Sequence, residues 1–84
     1  MYRPDSEYIY IVTETFDGEV NVTPCCDEKS ALFIKTELIE TLKFNHSDFD
    51  ILEDSITFFE AEIDSMIYVI DVSMHKIFNY REEK

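Results

Sequence analysis

The side chains in this sequence best suited to hold a metal ion are two cysteines and two histidines: Cys25, Cys26, His46 and His75. Two thiolates and two imidazoles can bind Zn²⁺. Their spacing matches no zinc motif, because no Cys-x-x-Cys or His-x-x-x-His run occurs. We therefore interpret the adjacent cysteines as small buried or half-buried thiols near a helix start. Neighbouring cysteines cannot form an ordinary disulfide framework, which favours a reducing, cytoplasmic compartment. The sequence predicts no metal and no cofactor.

Paired carboxylates are the other candidate chemistry. Glu60 and Glu62 resemble an acid and base pair, and Asp48-x-Asp50 resembles the start of a calcium loop. Such pairs carry no information in a chain with 19 acidic residues, and the loop lacks the later ligands and the turn glycine. A single glycine rules out a Gly-rich phosphate loop, and no serine lies in a nucleophile-elbow context. We expect a protein that is not an enzyme.

The number and distribution of the acidic residues are more informative. The 84 residues include 19 acidic and 7 basic side chains, for a net charge of −12. No Lys or Arg interrupts the eight acids between Phe44 and His75, or the seven from Asp5 to Glu28. Unrelieved like charge destabilises a compact state, so a role for this surface is expected. It repels nucleic acid and anionic membranes and attracts a basic partner.

The spacing of the acids suggests what they imitate. Alternate residues on a strand lie about 6.6 Å apart, and helix residues three or four apart lie about 5–6 Å apart. Glu60 with Glu62, and Glu37 with Glu40, therefore present charges at a spacing comparable to that of successive phosphates. The alternative is an acidic surface that serves only solubility. The predicted partner-binding residues are Phe33, Glu37, Glu40, Asp48, Asp50, Glu53, Asp54, Glu60, Glu62, Asp64 and Asp71.

Two β-hairpins must position these acids. Residues 7–16 and 19–23 are rich in β-branched and aromatic residues and flank Asp17-Gly18, a strong hairpin signal; Pro24 is expected to stop the second strand. Residues 56–63 and 67–74 form a second predicted hairpin around Asp64-Ser65. On the first hairpin, a two-residue turn puts Ile9, Ile11, Val20 and Val22 on one face with Thr13 and Thr15. The alternative, a three-residue loop with a bulge, would change the cross-strand partners.

A helix is predicted between the hairpins, over residues 27–43. Asp27 suits its N-terminus and Lys43 its C-terminus. Its apolar face contains Ala31, Ile34, Leu38, Ile39 and Leu42. Phe33 lies among carboxylates on the opposite side, as a contact residue or packed under a loop. Residues 48–53 are expected to form a short helical turn that buries Phe49 and Leu52.

The elements predict one α+β domain over residues 1–84, with frayed ends at 1–6 and 79–84. The expected architecture has two layers: a ββαββ-like antiparallel sheet with one amphipathic helix on one face. We expect the uncovered face to combine acids with Tyr8, Tyr10, Phe58 and Val69. Such a face predicts a partner or a homodimer; the alternative is a solvated face with scattered apolar residues.

In size, acidity, lack of catalytic motifs and α+β layout, the chain resembles small phage-encoded DNA-mimic inhibitors. These include uracil-DNA glycosylase inhibitors, anti-restriction proteins, some anti-CRISPR proteins and a phage inhibitor of the nucleoid protein HU. The resemblance covers overall character rather than a motif, because such mimics share no single fold. A chain with one glycine, two alanines and many Ile, Phe, Tyr and Asn also suits an AT-rich phage genome.

The resemblance implies a protein of the host cytoplasm that binds a basic DNA-binding host protein, such as HU, and blocks its DNA site. The alternative from another class is a protein-interaction module, such as an antitoxin, immunity or assembly protein, that uses an exposed aromatic sheet face. Strong salt sensitivity of partner binding would favour the mimic.

Overall fold

A computed structural model describes residues 8–76 of the chain, and the predicted frayed ends lie outside the described residues. One helix packs on a five-stranded antiparallel sheet, so the predicted α+β class is confirmed. The strand order is β2-β1-β5-β4-β3. The helix connects the two edge strands and crosses the sheet between them. The elements are β1 (Tyr8–Phe16), β2 (Glu19–Cys25), α1 (Glu28–Asn45), β3 (Asp50–Asp54), β4 (Phe58–Ile63) and β5 (Met66–Lys76).

The first hairpin has the predicted two-residue turn. Phe16 pairs with Glu19, and Asp17 and Gly18 have φ values of 53° and 81°. Positive φ at both central residues is what a type I′ turn requires. The strand does not stop at Pro24, however, and β2 continues to Cys25. A proline is tolerated there because β2 is an edge strand, where a missing N–H need not remove a ladder hydrogen bond.

The helix begins and ends close to the predicted residues. Asp27 is its N-cap and accepts a hydrogen bond from the backbone N–H of Ser30 at 2.7 Å, which lowers the pKa of the Asp27 carboxyl. The predicted apolar face is confirmed: Ala31 and Leu42 are buried, and the members between them pack against the core. The sequence did not predict that Lys35 is buried on the same side.

The second hairpin is confirmed, whereas the predicted helical turn over residues 48–53 is wrong. The segment instead forms strand β3, which pairs with β4 through a bulge between Ile51 and Glu53. The chain leaves α1 beside the free edge of β4, where pairing satisfies backbone groups on both strands. Phe49 packs against the core as expected, but Leu52 is about half exposed.

The core lies between α1 and one face of the sheet. Its largest fully buried side chains are Val12, Phe59, Ile63 and Ile70. Along β4 and β5 these residues alternate with outward-facing acids, as the period of two along a strand requires. The other face of the sheet is not covered by any element among residues 8–76, and we call it the open face.

Candidate functional site

Two pairs of acidic side chains lie directly opposite each other across β3 and β4. Asp50 pairs with Glu62, and Glu53 pairs with Glu60. Ala61, between the two glutamates, is buried on the α1 side, so alternation places both pairs on the open face. Directly opposed residues have Cβ atoms about 4.5–5.5 Å apart, and like charges at that distance are destabilising. The register therefore concentrates negative charge at this edge of the sheet.

Asp71 extends this cluster onto β5. Its neighbours Ile70 and Val72 are buried under α1, so Asp71 lies on the open face, opposite Phe58 of β4. Five carboxylates thus cover three adjacent strands. We call this set the acidic face: Asp50, Glu53, Glu60, Glu62 and Asp71.

The described residues supply no Lys or Arg to the acidic face. Lys29, Lys35 and Lys43 belong to α1, and Lys76 lies on the α1 side of β5, opposite Tyr8. Basic side chains near the acidic face would relieve its repulsion, and none of residues 8–76 does so. A cluster of one sign produces a field that attracts cationic partners.

The other predicted partner-binding residues lie elsewhere. Phe33, Glu37 and Glu40 are exposed on α1, on the opposite side of the molecule from the acidic face. Asp54 lies on the α1 side, with its carboxylate 3.8 Å from the ammonium of buried Lys35. Asp48 and Asp64 are exposed in a loop and a turn. The predicted acids therefore form several separate groups rather than one surface.

The expected grouping of Tyr8, Tyr10, Phe58 and Val69 on one face is wrong. Tyr10 pairs with Met74 on the α1 side and packs against the core, whereas Phe58 and Val69 lie half-buried on the open face. The first hairpin turns its aromatic side, not its aliphatic side, toward the helix.

Four aliphatic residues of the first hairpin occupy the open face instead. Val20 and Val22 on β2 are 59% and 56% exposed and lie directly opposite Thr15 and Thr13 of β1. Ile9 and Ile11, further along β1 on the same face, are half-buried. We call these four residues the apolar end. Three strand spacings of about 4.8 Å separate the β2 valines from Glu60 and its neighbours on β4. The open face is therefore apolar at one end and acidic at the other.

The two cysteines are free thiols at the junction of β2 and α1. Cys25 is half-buried, as expected, but the expectation is wrong for Cys26, which is exposed, with its sulfur 3.9 Å from the carboxylate of Asp27. Within residues 8–76, no group of three or more His, Cys, Asp or Glu side chains could hold a metal ion.

Glu14 was not predicted as a site residue, and its carboxylate contacts the core residue Tyr68. The hydroxyl of Tyr68 donates a hydrogen bond to Glu14 Oε2 beneath the helix. Burial, followed by the hydrogen bond and charge of Glu14, raises the pKa of Tyr68. A signal was present in the sequence: Glu14 lies between Val12 and Phe16 on the same face of β1, and this face packs under α1.

The fold and the acidic face together define a small acidic α+β protein with one uncovered sheet face. No family model matches the chain, and neither the curated proteins nor the solved structures give a match. No helix among the described residues is long and apolar enough to cross a membrane.

Proposed function

We propose that this protein is an acidic inhibitor that occupies the DNA-binding site of a basic host protein, in the manner of phage-encoded DNA mimics. A nucleoid-associated protein such as HU is the proposed target, because a broad cationic surface requires only charge and shape from its ligand. The observation that carries the proposal is the acidic face, where like charges are directly opposed and residues 8–76 provide no basic neighbour.

The opposed carboxylates of the acidic face disfavour folding of the free protein. Opposed like charges destabilise a sheet, and Asp50 with Glu62 and Glu53 with Glu60 are two such pairs. Lys and Arg side chains of a partner would relieve the repulsion by forming charge-assisted hydrogen bonds with the carboxylates. A sheet also holds its side chains in a regular array, so the charges are positioned before binding.

The expected strength is collective. A single exposed carboxylate paired with Lys or Arg contributes about 0.2–1 kcal/mol, by analogy with surface ion pairs. Five such pairs would contribute about 1–5 kcal/mol, which corresponds to between about fivefold and a few thousand-fold in affinity. Binding should therefore be distributed over the face and screened by salt.

A second candidate function rests on the apolar end. Val20 and Val22 are more than half exposed on an edge strand, and Ile11 lies on the same face of the neighbouring strand, diagonal to Val22. Neighbouring exposed aliphatic residues favour association with another protein or with a second copy of this chain. The second candidate function is therefore that of a protein-interaction module. In such a module the acidic face maintains solubility, and partner binding is driven by apolar contact and depends little on salt.

The two functions are distinguished by competition in an electrophoretic mobility shift assay with HU, a labelled DNA duplex and increasing amounts of this protein. The mimic displaces the DNA, because two polyanions cannot occupy one basic surface. Changing Glu60 and Glu62 together to Gln should weaken displacement, whereas changing Glu37 and Glu40 to Gln removes the same charge from α1 and should not.

Two results would contradict the mimic. One is a ternary complex that contains both DNA and this protein. The other is an affinity that is unchanged between about 50 and 200 mM salt, a range over which phosphate-mediated binding falls steeply. If HU itself does not bind, an affinity capture from a low-GC bacterial lysate identifies the target for the same assay.

A further inference from the structure

A polar cavity lies between the second half of α1 and the first hairpin, on the opposite side of the sheet from the acidic face. Its volume is about 210 Å³. Pockets for drug-sized ligands span roughly 300–1,000 Å³, whereas a cavity that holds a single water needs only about 10–15 Å³. The cavity is therefore the right size for the head of one side chain and too small for a nucleotide.

Glu14 is the central acceptor of this cavity. Its Oε2 atom accepts the hydrogen bond from the Tyr68 hydroxyl, and its Oε1 atom has no hydrogen-bond partner among residues 8–76. No Lys or Arg nitrogen of the described part of the chain lies within 4 Å of this carboxylate. A half-buried carboxylate is stabilised by a cation that also donates hydrogen bonds.

Several other groups of the lining favour a cation, whereas Leu38, Leu42 and His46, which also line the cavity, do not. Glu19 adds a second carboxylate, and Asn21 and Asn45 add side-chain carbonyl groups that can accept hydrogen bonds. The helix ends at Asn45 beside the cavity, so the negative end of its dipole, about half an elementary charge, is nearby. The rings of Phe16 and Tyr68 form an aromatic wall with centroids 5.6 Å apart, and ring faces attract cations.

We propose that this cavity is a binding site for the guanidinium group of an arginine side chain from a protein partner. A guanidinium is planar, weakly hydrated and carries five N–H donors, which suits several acceptors beside aromatic rings; an ammonium is compact and strongly hydrated. The site lies on the α1 side of the sheet and does not depend on the proposed DNA mimicry.

The test is an NMR titration of the full chain with N-acetyl-arginine amide, which reproduces an arginine within a peptide. Saturable shifts should appear in the signals of Glu14, Asn21 and Asn45. N-acetyl-citrulline amide, which is uncharged and nearly isosteric, should leave them unmoved. Free arginine should not bind more tightly than the blocked form, because its α-ammonium and α-carboxylate offset each other and the described lining contains no Lys or Arg for the carboxylate; tighter binding of free arginine would overturn the assignment to a protein side chain.

Variants connect the shifts to the cavity. Glu14→Gln keeps an oxygen for the Tyr68 hydroxyl but removes the charge, and it should weaken binding by about tenfold, the expected loss for one charged hydrogen bond. Glu37→Gln removes the same charge from the exposed side of α1 and should bind like the wild type. If Glu14→Gln does not fold, Glu19→Gln at the exposed wall replaces it and should weaken binding by about threefold.

Equal shifts with the citrulline compound, undiminished binding by the Glu14 and Glu19 variants, or equal affinity for N-acetyl-lysine amide would each overturn the proposal. The mobility shift assay gives an independent result. Arginine binding together with a ternary complex of target, DNA and this protein would leave this site standing and reject the mimic. DNA displacement without arginine binding would support the mimic and reject this site.

Discussion

The two hairpins of this protein are built alike and present opposite chemistry to the open face. Each has a two-residue turn with positive φ, and each turns its more aromatic side toward α1. One row of opposed residues runs across both: Val20, Thr15, Val69, Glu60 and Glu53. The row changes from uncharged to acidic between β5 and β4. Acidic and uncharged side chains are therefore separated on a single sheet.

The two edge strands differ in the same way. Strand β3 has five residues, carries acids and contains a bulge, all of which discourage pairing with another sheet. Strand β2 has seven residues, with Pro24 near its end and exposed valines along it. The β3 edge is thus protected by charge and the β2 edge mainly by its proline. We expect the apolar end to mediate any self-association, because it lies away from the repelling acids.

The largest expected effect comes from neutralising the whole acidic face. Changing Asp50 and Asp71 to Asn, and Glu53, Glu60 and Glu62 to Gln, should lower affinity for a basic target by about 1–5 kcal/mol. The same variant should lose most of its salt dependence, and it should fold, because removing like charge relieves repulsion. Calorimetric titration at two salt concentrations measures both effects. Undiminished affinity would transfer the binding role to the apolar end.

The next largest effect concerns the apolar end and the proposed homodimer. Changing Val20 and Val22 to Thr should weaken self-association by about 1–3 kcal/mol, because burying a hydroxyl without a partner costs free energy. Thr suits a strand, so the monomer should keep its stability to within about 0.5 kcal/mol. Light scattering across a concentration series measures the association. Ile56→Thr, at an exposed isoleucine outside the apolar end, is the control, and an equal effect there would refute the prediction.

The turns allow the two hairpins to be compared directly. Ser65 has φ 68°, a conformation that costs a non-glycine residue about 1–2 kcal/mol, whereas Gly18 accepts φ 81° freely. Ser65→Gly should raise the free energy of unfolding by about 0.5–1 kcal/mol. Glycine relieves the strain of the positive φ, but it also increases the entropy of the unfolded chain, which offsets part of that stabilisation.

Gly18→Ser is the reciprocal variant and should lower the free energy of unfolding by a similar amount. Apart from its chain neighbours, no atom of residues 8–76 lies within 4 Å of a Cβ placed at Gly18. The variant therefore tests backbone strain without a steric clash. Urea denaturation measures both variants, and changes of the same sign in the two turns would contradict this account.

The smallest expected effect is the relief of one opposed pair. Glu60→Gln should raise the free energy of unfolding by about 0.2–1 kcal/mol, because Glu53 lies directly opposite. Glu37→Gln removes the same charge from the exposed side of α1 and should change stability by less than about 0.5 kcal/mol. The difference between the two should shrink in high salt. Destabilisation by Glu60→Gln would mean that its carboxylate makes a favourable contact in the free protein.

Local patterns determined most of the elements of this protein. Alternating apolar residues around Asp17-Gly18 and Asp64-Ser65 specify the two hairpins. The sequence leaves their registers open, and the two-residue turns of the structure fix them, because such a turn leaves one pairing in phase. Asp27 and the apolar spacing from Ala31 to Leu42 specify the helix. The joint outward facing of Glu60, Glu62 and Asp71 follows from the second hairpin by alternation alone.

Only the tertiary structure decided which side of the first hairpin meets the helix, and where residues 50–54 pair. Both sides of that hairpin contain enough apolar residues to be buried, so the choice between them depends on how each side packs against α1. In the structure Tyr10, Val12 and Phe16 pack inside, and the apolar end lies outside. Strand β3 exists because the chain leaving α1 meets the unpaired edge of β4, which overrides the local helical signal. The same pairing added Asp50 and Glu53 to the acidic face, and long-range pairing of this kind has no periodic signature in the sequence.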